Sequence, residues 1–208
     1  LTSASAIVGD EYVGGLVGFA NGGKYADVGA IISSCTVSST ISSAAIIGNK
    51  LVGGAIGELS YNSSSTVSEV HVNASIAGSN SVGGVVGYIH KQRAEQVSFE
   101  GTITALTTNG KEFGGLLGAE LDSHLSSAKA NAVIELMGTT NYVGGLVGAS
   151  YGWYPSITAC YSQGQIIGKI GTNSTGSQGI LGYMSGSCPI DYCYTLYNST
   201  LNESESFS

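Results

Sequence analysis

Three histidines, His71, His90 and His124, are the natural starting points for acid–base or metal chemistry in this chain. A zinc peptidase needs two histidines a helical turn apart on one face. None of the three has such a neighbour. The run Asp122-Ser123-His124 has the letters of a hydrolytic triad, yet adjacent residues on a strand or loop diverge, and a triad is assembled in space from distant segments. His124 therefore reads as an exposed loop residue, and neither Asp122 nor His124 is expected to carry a role. Paired carboxylates for cleaving sugar linkages could come from separate segments, but no spacing singles out a pair. The expectation is a non-enzyme with no catalytic residue, no metal site and no cofactor.

Other groups point to modification or binding. Five Asn-x-Ser/Thr sequons occur, at Asn62, Asn73, Asn173, Asn198 and Asn202, and are candidates for N-glycosylation if the chain passes through a eukaryotic secretory route. Aromatic residues gather between the regular segments: Phe19, Tyr25, Tyr61, Tyr88, Tyr151, Trp153, Tyr154 and Tyr183. Tyr151, Trp153 and Tyr154 stand closest together and are the candidates for stacking on sugar rings. The alternative is that these rings fold back as amphipathic lids.

Composition narrows the partners. Only 10% of the 208 residues are charged and 42% are hydrophobic, with a formal net charge of −7. The seven basic residues are scattered, which leaves no footprint for nucleic acid or anionic lipid. No apolar run is long enough for a membrane-spanning helix.

The elements that must position these groups are repeats. Val13-Gly14-Gly15-Leu16-Val17-Gly18 returns at Val52–Gly57, Val82–Gly87, Phe113–Gly118 and Val143–Gly148, and in a worn form at Ser177–Gly182. Spacings of this size belong to solenoids or propellers. Between the glycine motifs lies an alternating segment: Cys35–Ile41, Val70–Ile76, Val97–Ile103, Ala128–Ile134 and Cys160–Ile166. Small or apolar residues at every second position predict strands with one face inward. Superposing the copies predicts an isoleucine ladder of Ile41, Ile76, Ile103, Ile134 and Ile166. It also predicts a small-residue column of Ser39, Ala74, Gly101, Ala132 and Gly164, where opposite walls would approach. The fold expected is all-β, a parallel β-solenoid (β-helix) of about six coils of roughly 30 residues. Residues 1–197 form the repeat domain, and 198–208 a polar, acidic tail.

In the glycine motif the fourth and fifth positions are both apolar. On a straight strand one of them would face solvent as a stripe, unless the glycines bend the chain or other segments cover it. Phosphate cradling is excluded because no helical pattern follows any copy.

Stacking also constrains the cysteines. Cys35, Cys160 and Cys193 fall in one inward column, and four rungs put Cys35 about 19 Å from Cys160, too far for a bridge. Candidate disulfides are Cys188–Cys193 or Cys160–Cys193.

The Gly-Gly-Leu-Val-Gly core, followed by Cys160-Tyr161-Ser162-Gln163-Gly164-Gln165-Ile166, resembles the GLUG repeat. That family occurs in large secreted and surface proteins, including adhesin-like proteins and non-catalytic regions of immunoglobulin A peptidases. The resemblance implies an extracellular or cell-surface structural or adhesive segment, a rod or filament. A carbohydrate-binding or accessory region of a secreted peptidase or glycan-degrading enzyme is the alternative. Ala6-Ile7-Val8-Gly9 resembles Ala45-Ile46-Ile47-Gly48, so the stack is expected to continue at its N-terminal end, along the same chain or by self-association.

Overall fold

The computed structural model describes residues 2–3, 5–21, 29–41, 43–60, 65–173 and 178–200. Among them every regular element is a strand, and the strand pairings are parallel. Each coil contributes to three ladders. The first holds the alternating segments, such as Thr66–Asn73, Ser98–Ala105 and Tyr161–Ile170. The second holds the approach to each glycine motif, such as Lys50–Gly53, Asn80–Gly83 and Lys111–Gly114. The third holds its exit: Val17–Asn21, Ile56–Ser60, Val86–His90, Leu117–Leu121, Val147–Gly152 and Leu181–Gly186. Six strands in that last ladder bound about five full turns, slightly fewer than the motif count predicts.

The isoleucine ladder exists, with one member replaced. Ile76 pairs with Ile103, Ile103 with Ile134 and Ile134 with Ile166, all fully or nearly fully buried. Below Ile76, however, lies Ile46 rather than Ile41, and Ile7 lies below Ile46. Residues 40–44 are inserted into the first coil, so the alternation read through Ile41 stops one corner too early. The small-residue column is also in register, but its closeness has a different origin. A Cβ on Gly164, whose φ is +133°, would lie 2.0 Å from the Ala132 carbonyl oxygen, so successive coils meet there, not opposite walls.

The glycine motif is a bend. In Val82–Gly87 the second ladder ends at Gly83, the chain turns through Gly84 and Val85, and the third ladder begins at Val86. Val85 and Val86 are both fully buried, as are Ala55 and Ile56, so the apolar fourth and fifth positions serve the core. A Cβ on Gly84 would sit 2.1 Å from the Gly115 carbonyl oxygen and 2.3 Å from the Phe99 ring, which leaves no alternative to glycine.

The remaining corners are turned by residues in the left-handed region, few of which are glycine. Ser34, Glu69, Gln96, Ser127, Ala159 and Tyr192 form one column, with φ between +51° and +54°. Tyr12, Leu51, Ser81, Glu112 and Tyr142 form a second. Each such residue costs roughly 1–2 kcal/mol as an isolated conformation, which the rungs on either side must outweigh.

The last strand, Tyr194–Thr200, pairs with Tyr161–Ile170, so the first ladder continues three residues past position 197. Among the described residues no helix is long and apolar enough to cross a membrane.

Candidate ligand-binding corner

His71 and His124 each meet a serine hydroxyl, and Asp122 takes backbone partners. His71 Nδ1 lies 2.8 Å from Ser98 Oγ, and His124 Nδ1 lies 2.8 Å from Ser156 Oγ. His124 is a half-buried member of the strand His124–Ser126, a correction to its reading as a loop residue. In Asp122-Ser123-His124 the three side chains take separate partners. The Ser123 hydroxyl donates to the Leu121 and Ile89 carbonyls at 3.0 and 3.3 Å, while Asp122 reaches up one coil.

Asp122 has a definite task, contrary to expectation. It occupies a third left-handed column, Lys91, Asp122, Gly152 and Gly186, at the corner between the third and first ladders. Its Oδ1 accepts from the backbone N–H of Trp153 at 2.8 Å and of Tyr154 at 3.1 Å. Gly152 makes this reach feasible, because a Cβ there would lie 2.1 Å from that oxygen. Against some desolvation, the two amides, with Lys91 and His90, hold the Asp122 carboxyl below the usual carboxylate range. Burial, then Lys91, lowers the His90 pKa.

At this corner two successive coils are brief. Lys91 and Asp122 are each followed by one buried residue, Gln92 or Ser123, and then by the paired positions Arg93 and His124. His124 pairs in turn with Ser156, so the fifth coil inserts Trp153 and Tyr154 between Gly152 and the buried Pro155. Both rings project into solvent, Trp153 at 77% and Tyr154 at 76% exposure. A cavity of about 240 Å³ opens along this corner on the coils below the insertion, lined by Ser65, Thr66, Lys91, Gln92, Arg93, Asp122 and His124, so that Asp122 is what it shares with the two rings. Tyr151, predicted alongside the two exposed rings, is half-buried. Its hydroxyl donates to Glu112 Oε1 at 2.7 Å and its ring lies 5.8 Å from that of Tyr183.

Among the described residues two carboxylates are buried inside the stack, Glu112 and Glu120. Glu112 accepts from the Ser81 hydroxyl as well as from Tyr151, with Lys111 Nζ 3.5 Å away. Burial and that bond raise the Tyr151 pKa. Glu120 occupies an inward column in which Leu59 and Ile89 lie below it and Ser150 above. It is 2% exposed, accepts from the Ser150 hydroxyl and, at 3.0 Å, from the Ser123 N–H, and burial pushes its carboxyl up to about 8. The sequence reading missed this residue. Aligning the residues two beyond each glycine motif, Leu59's column, would have shown a carboxylate among mostly aliphatic residues.

A model of the GLUG motif matches residues 9–42 and 139–167. Those two stretches carry the GLUG motif. They make up less than a third of the chain's length, and no curated protein matches the chain. The second GLUG stretch includes the Trp153-Tyr154 insertion, flanked by the bend at Gly144-Gly145 and the strand Tyr161–Ile170. The same strand follows Cys160, whose N–H lies 3.4 Å from Cys193 Sγ on the next rung. All four cysteines are free thiols here. Burial pushes the Cys160 thiol up to about 12 and the Cys188 thiol up to about 11, the latter beside Ser150 and Glu120. Of the sequons, Asn73 is exposed between Ser38 and Glu100 on neighbouring rungs, and Asn173 is exposed in a turn. Asn62, Asn202 and the side chain of Asn198 lie outside the described residues, as do Tyr25 and Tyr61.

Proposed function

We propose that this GLUG β-solenoid is a non-catalytic extracellular segment, a rod that presents its corners at a cell surface as a structural or adhesive element. The observation that carries the reading is the exposed pair Trp153 and Tyr154, held out from a stacked scaffold by Asp122. Exposed aromatics fixed in place are the usual anchors of recognition, whereas scattered apolar residues on loose loops are not. The groups with the best claim to chemistry support the same reading, because His71, Asp122 and His124 are engaged in bonds between coils. Exposed sequons at Asn73 and Asn173 suit a glycoprotein, and the outermost rungs suit continuation of the stack along the chain or by self-association. The reading needs no cofactor, metal or nucleic acid. An accessory, carbohydrate-binding region of a larger secreted peptidase or glycan-degrading enzyme is favoured by the same aromatic corner. An antibody against the chain should label intact cells of its source without permeabilisation. Label confined to permeabilised cells would overturn the extracellular reading.

A further inference from the structure

The fifth-coil corner is built for a purpose that the fold does not require. The ladders run through the corners at Lys91 and Asp122 with two fewer residues than at Gly152, so the insertion adds nothing to the rungs. What it adds is two large rings at more than three-quarters exposure, in a loop whose first residue and whose backbone amides are fixed by the coil below. Fixing a loop before binding removes part of the ordering cost that a ligand would otherwise meet.

The surroundings specify the ligand's chemistry. Aromatic faces carry negative charge density and attract the polarised C–H groups on one face of a sugar ring. The adjoining cavity of about 240 Å³ is smaller than the roughly 300–1,000 Å³ of pockets that enclose a whole ligand, and suits a single ring-sized group. Its lining is polar and includes Lys91 and Arg93, two of only seven basic residues in a chain of net charge −7. The one carboxylate in that lining, Asp122, has an oxygen committed to the Trp153 and Tyr154 amides. Arg93 touches Glu95 only at 3.8 Å, and a guanidinium offers a planar fork matched to a carboxylate.

We propose that Trp153, Tyr154 and the cavity joined to them through Asp122 form a carbohydrate subsite selective for a carboxylated sugar, a uronic or sialic acid residue. The inference rests on the surface-recognition reading and names its ligand class. The sugar ring stacks on the aromatic pair and its carboxylate meets Arg93 and Lys91. No bond is made or broken.

Trp153 is the chain's single tryptophan, so its fluorescence reports on this corner alone. The whole chain is titrated with trigalacturonic acid and with sialyllactose, with lactose and sodium acetate as controls. At least one acidic sugar should give a saturable change below about 10 mM, at least about tenfold tighter than lactose, with none from acetate. Whichever acidic sugar responds identifies the source of the carboxylate. Arg93→Gln and Lys91→Gln, both at the surface and with Trp153 retained, should bring the acidic-to-neutral ratio towards one, and Tyr154→Ala should weaken both sugars. No saturable response to either acid, lactose binding as tightly, or an unchanged ratio in Arg93→Gln would each overturn the proposal. Surface labelling of intact cells is independent of these outcomes, so a failed titration with positive labelling removes this inference alone.

Discussion

Replacing Glu120 with glutamine should flatten the pH dependence of the fold's stability. The carboxyl replaces an aliphatic side chain in its column, and burial lifts its pKa from 4.5 to about 8 even though Ser150 and Ser123 pull it back. An acid whose pKa is raised on folding binds its proton more tightly in the folded state. Its contribution is therefore fully present below about pH 4.5, declines as pH rises, and is lost above about pH 8. The interval between 4.5 and about 8 corresponds to roughly 5 kcal/mol, a large part of the ~5–15 kcal/mol that keeps a typical domain folded. For a chain of this size that amounts to a fall in Tm on the order of 10 °C between acid and mildly alkaline solution. Glu120→Gln keeps the shape and cannot ionise. Thermal unfolding followed by far-UV circular dichroism from pH 5 to 8.5 should show the wild type losing stability while the variant loses much less. His90, whose pKa burial lowers, acts with the opposite sign in both proteins and cancels in the comparison. Parallel curves for the two proteins would refute the placement of an ionisable carboxyl in the core.

Four further outcomes follow from the same structure. Asp122→Ala should cost about 1–2 kcal/mol and abolish protection of the Trp153 and Tyr154 amides in hydrogen exchange, and unchanged protection would remove Asp122 from the corner. Ile103→Asp or Ile134→Asp should unfold the chain, since each puts an unpaired charge among fully buried aliphatics, and an unaltered Tm would mean that the register is wrong. Under oxidising conditions Cys160 and Cys193, on adjacent rungs, should form the bridge; a Cys188–Cys193 linkage in non-reducing peptide mapping would contradict that choice. The purified chain should turn over no peptide or glycoside substrate, and any turnover lost in His124→Ala would defeat the non-catalytic reading.

Much of the rung structure was legible because period two and period 30 reinforce each other. Val70, Val97, Ala128, Cys160 and Cys193 align in the sequence and stack in the fold, as do Ile76, Ile103, Ile134 and Ile166. Ile41 misled because an insertion can imitate the next step of an alternation, and only a rung above shows where the strand resumes. The left-handed corners were invisible for another reason. Glu69, Gln96, Ala159 and Tyr192 carry no local preference for that conformation, which stacking imposes on them. Of the binding corner, the exposed rings were legible as letters, but Asp122 was not. Its partners lie one coil away, and their approach depends on a missing Cβ at Gly152.

Those left-handed columns have a kinetic consequence. A lone coil must hold two or more disfavoured backbone conformations before any neighbour rewards them, so the first coil to form is the slow step. Every later coil meets a template whose corners are already turned, and adds at small cost. The most buried coils, those around Val82–Gly87 and Phe113–Gly118, are where such a nucleus gains most. Folding then spreads outward in both directions from these coils, and the less buried ones, such as that of Leu16 and Val17, are the first to fray when the stack is stressed.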